Sequence, residues 1–263
     1  VSGAVTEIHR EVAGRDGGKA PVVLSHALGL DVSMWDALAA KLAAAGHPVL
    51  RYDHRGHGRS GVPAGPYTMD DLVADAAEVI RDWGVGPVVW IGLSMGGMVG
   101  QGMAIHHPEL LRGLVLANTT AQYPPAAQSG WAERIAKVEA GGLAAIVETV
   151  LERYLNASFR AANPGVVDAL RRKVLSVDPR GYVGCCHAVS KVNWLDRLHE
   201  IRRLSTLVIA GRLDAGTPVA MAEAIHHRVA GSQLTVLEDA SHLSVVEQPA
   251  RFEEVVTGFL AGC

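Results

Sequence analysis

The chain has 263 residues, with 27 acids against 24 lysines and arginines for a formal net charge of -3, and 49% of its residues are hydrophobic. That length suits one large α/β domain with an insertion, whose core needs no disulfide or metal support. The near-balanced charge gives no footing for nucleic acid or a membrane surface, and the apolar residues fall in runs too short to span a bilayer.

Taken in chain order, Val5 to Val12 reads as an edge strand, and residues 21–26 and 48–52 as short apolar strands. Between them Ser33-Met34-Trp35-Asp36 resembles a capping box, predicting a helix that stops near Gly46. Thr68-Met69-Asp70-Asp71 opens another helix, in which Leu72, Ala76, Val79, Ile80 and Trp83 fall on one face at helical spacing. Pro87-Val88-Val89-Trp90-Ile91 is a strand, followed by Gly92-Leu93-Ser94-Met95-Gly96 and a helix-like stretch ending at Pro108, then by the strand Leu114-Val115-Leu116-Ala117. This alternation predicts a mostly parallel sheet flanked by crossover helices. From Thr119 to Leu198 the alternation stops, and the chain is helix-like with breaks at Pro124-Pro125, Gly141-Gly142 and Asn163-Pro164-Gly165. Residues 119–198 are therefore expected to form an inserted helical cap, leaving 1–118 and 199–263 as the core domain; a plain extra helical layer is the alternative. Strands resume at Thr206 to Ala210 and Gln233 to Leu237, and a last helix buries Phe252, Val255, Val256, Phe259 and Leu260.

The chemistry centres on the Gly-x-Ser-x-Gly segment. A serine at a tight turn from strand to helix presents its hydroxyl outward, and glycines two residues to either side let the backbones approach. Ser94 is thus the candidate nucleophile. Asp214 and His242 each follow a strand, in the chain order Ser, Asp, His that such an elbow requires. In this arrangement His242 takes the serine proton as general base, and Asp214 fixes the imidazole tautomer. Alone, Asp214 is as readily a turn former and His242 a surface residue. Asp239 and Glu238 are weaker rivals because they share the histidine's own loop. The oxyanion of a tetrahedral intermediate needs backbone donors, expected from Met95 after the serine and from Leu28 in the loop after the strand Val22-Val23-Leu24. His26 is read as a brace of that loop.

No metal or cofactor is expected, because no HExxH or CxxC occurs and the pairs His106-His107 and His226-His227 diverge on a helix. Cys185 and Cys186 are neighbours, which seldom form a disulfide, and Cys263 is the last of the three cysteines. With no apolar signal core near Val1, the expected location is a reducing cytoplasm.

These residues resemble those of the α/β-hydrolase superfamily, and more narrowly of the 3-oxoadipate enol-lactonases of the β-ketoadipate pathway. The resemblance runs nearly end to end, through Leu28-Gly29-Leu30-Asp31, the run Arg51 to Ser60 with its Arg-Gly-His-Gly-Arg-Ser, the elbow, and in the cap Ala161-Ala162-Asn163-Pro164 and Asp178-Pro179-Arg180-Gly181-Tyr182 leading to Cys185-Cys186. It implies the α/β-hydrolase fold and opening of a small enol-lactone carrying a free carboxylate, a step of aromatic catabolism. The carboxylate calls for a cation in the pocket, with Arg134, Lys137, Arg160 and Lys191 as candidates, while Trp131 and Trp194 are candidates to line it. His26-Ala27 stands where His-Gly is usual in the family, so the donor loop is expected to be built slightly differently. His187 also replaces the small residue usual after the cysteine pair.

Three other readings compete. A general short-chain carboxylesterase, with perhydrolase activity as a side reaction, would use the same residues with a wider, less polar pocket. A carbon-carbon bond hydrolase of ring-cleavage products would share the scaffold, but nothing here marks groups to protonate a dienol. A non-catalytic ligand-binding protein would ordinarily have lost one of Ser94, Asp214 or His242. In every enzymatic case the expected partner is a small-molecule ester or lactone; the oligomeric state is not readable from the chain.

Overall fold

The computed structural model describes residues 6–15 and 17–263, so Val5 of the expected edge strand lies outside the described residues. Seven strands form one sheet in the order β1-β3-β2-β4-β5-β6-β7. They are β1 (Arg10–Ala13), β2 (Val22–Ser25), β3 (Val49–Tyr52), β4 (Val88–Leu93), β5 (Leu111–Ala117), β6 (Ser205–Gly211) and β7 (Gln233–Leu237). Only β1 is antiparallel, pairing Arg10 with Tyr52 at the edge, where its burial alternates. The parallel strands β2 and β4 are buried at every position, as a sheet covered on both faces requires, and hence read as unbroken apolar runs.

The helices of the first half are α1 (Asp36–Ala44), α2 (Met69–Trp83) and α3 (Met95–His106). At α2 the Thr68 hydroxyl accepts from Asp71 N at 3.1 Å and the Asp71 carboxylate accepts from Thr68 N at 2.8 Å, a reciprocal cap that contributes about 1 kcal/mol. The expected apolar face is in place, with Leu72, Ala76, Val79 and Ile80 buried. The capping box expected from Ser33 is not formed. Asp31 is the cap, its carboxylate accepting from Ser33 N at 2.9 Å, and a single 3₁₀ turn over Val32–Trp35 precedes α1. The stronger acceptor lies two residues upstream, and the helix start moves accordingly.

Between β5 and β6 lie α4 (Gln128–Gly141), α5 (Val147–Tyr154), α6 (Ala157–Ala162), α7 (Pro164–Ser176) and α8 (Pro179–Ser190). The two chain segments that lead into and out of this helical layer meet at an isolated bridge between Gln122 and Asn193, beside a bond from Trp194 N to Ala121 O at 2.8 Å. The layer is seated closely on the core. A Cβ on Gly181 of α8 would lie 2.3 Å from the carbonyl oxygen of Gly56, and Lys173 of α7 reaches Asp31 at 2.8 Å. The chain closes with α9 (Val219–Arg228), the short α10 (Ser244–Glu247) and α11 (Pro249–Leu260). Phe252 and Val256 of α11 are fully buried, and Phe252 meets Trp35 with ring centroids 6.3 Å apart.

Candidate active site

Ser94 sits between β4 and α3 at φ 56°, ψ -114°, a conformation that costs a non-glycine residue about 1–3 kcal/mol. Neighbouring bonds hold it there. Ser94 N donates to Ala117 O at 2.9 Å, Thr119 Oγ1 donates to Ser94 O at 2.7 Å, and the Trp90 indole N-H reaches Gly96 O at 3.0 Å. The flanking glycines have a steric reason. A Cβ on Gly92 would come within 2.1 Å of Gly96 O, and a Cβ on Gly96 within 2.1 Å of Ser25 O. The turn is thus pressed against the end of β2, where the loop bearing Leu28 begins.

Asp214 follows β6 and His242 follows β7, and His242 Nδ1 donates to Asp214 Oδ2 at 2.8 Å. Both are nearly closed to solvent, at 3% and 4% exposure. Asp214 is braced further. Its Oδ1 accepts from Gly216 N at 2.8 Å and Thr217 N at 2.9 Å, and its Oδ2 from the Thr217 hydroxyl at 2.7 Å and Asn118 Nδ2 at 3.1 Å. Burial pushes this carboxyl up, but the charge and hydrogen bond of His242 and the Thr217 donors outweigh it, so its pKa lies below the ordinary carboxylate value. Asp239 and Glu238, the rival acids, are exposed, and Glu238 pairs with Arg212 at 2.9 Å. The loop bearing His242 is tied down by Ser241 N donating to Glu247 at 2.5 Å and by Leu243 N donating to Tyr154 O at 2.9 Å.

Ser94, His242 and Leu28 line one small cavity of about 20 Å³, together with Tyr154, Trp131 and Arg134. No hydrogen bond among the described residues joins the Ser94 hydroxyl to His242, a contact that commonly tightens only once substrate is bound. The Met95 N-H lies at the first turn of α3, where helix amides have no partner within the helix. The Leu28 N-H is aimed by its neighbours. Ala27 O accepts from His26 Nδ1 at 2.8 Å and from Leu30 N at 3.2 Å, which turns the other side of that planar peptide, the Leu28 N-H, away from them. His26 braces this loop, since its Nε2 also accepts from His54 N at 2.9 Å. Positive φ falls on Gly29, at 76°, so Ala27 keeps an ordinary backbone.

Next to this loop lie three buried imidazoles, with His26 centred 4.6 Å from His54 and 5.4 Å from His57. Burial pushes all three down, His26 to about 4 and His57 to about 3, so they are neutral. Most of their nitrogens are engaged with the protein, His57 Nε2 accepting from Gly29 N at 2.9 Å and His54 Nε2 meeting the Ser25 hydroxyl at 2.9 Å, while His54 Nδ1 is buried with no hydrogen-bond partner among the described residues. Among the described residues no group of three or more histidines, cysteines or acids is arranged to hold a metal ion. All three cysteines are unpaired.

A larger cavity of about 540 Å³ opens beside the small one and shares Tyr123, Trp131, Arg134, Arg153 and Gly216 with it. Arg134 is half-buried, lies over the ring of Trp131 at 5.3 Å and that of Tyr182 at 5.8 Å, and forms no ion pair among the described residues. The other cations considered from the sequence stand differently. Lys137 lines the outer cavity but pairs with Glu133 at 2.7 Å, Arg160 lies 4.0 Å from Glu152, and Lys191 is exposed outside both cavities. Trp194 must be corrected: it lines neither cavity, and its indole N-H donates to Met98 O at 3.1 Å while its ring packs on His106. An indole needs a partner for its N-H when buried, and here α3 supplies one on the side away from the pocket. Sequence reasoning missed Asn118, Thr217, Tyr154, Arg153 and Glu247. Only Asn118 had a usable signal, a polar residue directly after a buried strand beside the elbow.

Residues 20–249 match the family profile described as the alpha/beta hydrolase fold. A 3-oxoadipate enol-lactonase of Acinetobacter baylyi is 35% identical over 235 residues, covering 89% of this chain and 86% of that protein. The crystal structure of an enol-lactonase from Burkholderia xenovorans superposes with a TM-score of 0.92 at 33% identity, covering 99% of each chain. A thermophilic esterase from Thermogutta terrifontis, with malate bound, gives a TM-score of 0.91 at 30% identity over 99% of this chain and 96% of that one.

Proposed function

The chain belongs to the alpha/beta hydrolase fold family, and from that premise we propose that it is a serine hydrolase opening a small lactone that carries a carboxylate, in particular 3-oxoadipate enol-lactone. The observation that carries this reading is the convergence of Ser94, His242 and Leu28 with the unpaired guanidinium of Arg134 on one cavity. A half-buried cation without an acid among the described residues is costly unless something else supplies the anion, and a substrate carboxylate would. Arg153, which lines the same cavity, adds a second positive charge.

In this mechanism Ser94 Oγ attacks the ring carbonyl while His242 Nε2 takes the hydroxyl proton, and the carbonyl oxygen, now negative, rests on the Met95 and Leu28 amides. Collapse breaks the ring C-O bond. The departing enolate receives the proton from the imidazolium and tautomerises to a ketone, and as a better leaving group than an alkoxide it asks less of the acid. Water, activated by His242, then releases the acyl group from Ser94. Asp214 stays ionised throughout and holds the imidazole with Nε2 toward the serine. The enol-lactonase relatives support the lactone as substrate.

A second reading, a broader carboxylesterase, is favoured by the size of the outer cavity and by the apolar residues Pro124, Ile146, Pro218 and Met221 on its wall. Both readings need an acyl-enzyme at Ser94. A serine-directed phosphonate should add its mass to the Ser94 peptide of the wild type and leave Ser94→Ala unlabelled with its fold intact. An unlabelled wild-type Ser94 would overturn both.

A further inference from the structure

Resting on that reading, we propose that Tyr154 is a positioning residue through which seating of the helical cap fixes the oxyanion donor loop and the imidazole relative to each other. Tyr154 ends α5 and is 3% exposed. Three parts of it reach three parts of the site. Its hydroxyl donates to Leu28 O at 2.5 Å, its ring stacks on His242 with centroids 5.2 Å apart at 26°, and its carbonyl accepts from Leu243 N at 2.9 Å. Among the described residues no other cap side chain bonds to the donor loop and also packs on the imidazole.

The hydroxyl contact determines a backbone orientation. The peptide joining Leu28 to Gly29 is gripped at both ends, with Tyr154 on the carbonyl and His57 Nε2 accepting from Gly29 N at 2.9 Å. Since a peptide is planar, fixing both ends fixes the plane and with it the torsion at Leu28. The preceding peptide is held through Ala27 O, so the Leu28 N-H has one direction left to it. Without the Tyr154 hydroxyl the Leu28 carbonyl is a buried acceptor short of a partner, and the plane is free to rock. A donor aimed at developing charge loses much of its effect over a small misalignment. Stacking on the imidazole places the base by the same residue, so loop and base keep register whenever α5 is docked.

The test compares wild type, Tyr154→Phe and Tyr154→Leu by the rate of Ser94 phosphonylation, by kcat and KM on p-nitrophenyl butyrate, and by thermal midpoint. Tyr154→Phe keeps the ring and should lower kcat and the phosphonylation rate together, by about 10- to 100-fold, somewhat less than outright loss of an oxyanion donor. KM should stay within about threefold, because no binding contact is removed. Tyr154→Leu should lower kcat further by freeing the imidazole. A Tyr154→Phe protein with kcat within about twofold of wild type, or with its whole loss in KM, would overturn the proposal while labelled Ser94 leaves the hydrolase reading standing. An unlabelled wild type would overturn both.

Discussion

Five hydrogen bonds converge on the Asp214 carboxylate, and only one of them comes from His242. The other four hold the acid still, so that its remaining direction selects the tautomer with hydrogen on Nδ1 and the lone pair on Nε2. Asp214→Asn keeps the shape but turns an acceptor into a group that can present N-H to the ring. Its kcat should fall by about four orders of magnitude, the size seen for this change in serine-protease triads, and the thermal midpoint should fall as well, because an amide N-H then faces buried donors that the carboxylate had satisfied. A loss below about tenfold would place the orienting acid elsewhere. Asp214 could be singled out in the sequence because it follows a buried strand and falls between Ser94 and His242 in the chain order Ser, Asp, His. Thr217 could not, since it is an ordinary polar loop residue until the strands bring it to the carboxylate, and Asn118 offered only its place directly after a buried strand. Tyr154 was least legible of all, because its partner Leu28 lies 126 residues away.

At the scale of elements, the strand-to-helix turn and the loop bearing Leu28 are one assembly. Gly96 is the contact point, because any side chain there meets the Ser25 carbonyl, and backbone cannot move aside as a flexible side chain can. Gly96→Ala should therefore cost stability on the order of 1–3 kcal/mol in urea unfolding and reduce kcat as well, because the clash separates the amides of Met95 and Leu28 proposed as oxyanion donors. Unchanged stability together with unchanged kcat would mean that turn and loop are not coupled. Glycine spacing around a serine told this much in advance. The helix start near Ser33 was misread because a Ser-x-x pattern and the upstream Asp31 compete for the same amides, and the carboxylate is the stronger acceptor. Trp194 was assigned to the pocket on its apolar character alone, which does not say toward which side of the helical layer an indole turns.

Over the whole molecule, a mostly parallel sheet and a helical layer between β5 and β6 followed from where buried runs stop and helical spacing begins, whereas the strand order did not. How that layer sits on the core did not, since the Gly56 to Gly181 approach and the Lys173 to Asp31 pair join distant segments. Burial of His26, His54 and His57 has a global consequence. Their pKa values are lower folded than the roughly 6.5 of an unfolded histidine, so the unfolded chain binds more protons once the pH falls below that value. Stability is then fully present above about pH 6.5 and is lost as the pH falls toward the folded values of about 4 for His26 and about 3 for His57, by up to about 1.4 kcal/mol per pH unit for each histidine. Asp214, with its lowered pKa, adds to this loss, whereas Glu247, whose carboxyl burial pushes up, opposes it. The thermal midpoint should be level above pH 7 and drop steadily from about pH 6.5 to 4.5; a level or rising midpoint in that window would mean the three rings are not buried neutral. The central claim, an anionic lactone bound across Ser94 and Arg134, is tested most directly by kcat/KM on 3-oxoadipate enol-lactone against p-nitrophenyl butyrate. The account predicts a preference for the lactone of about 100-fold or more, the size of one charge-assisted contact realised in a buried site. Good ester turnover with negligible lactone opening would contradict it.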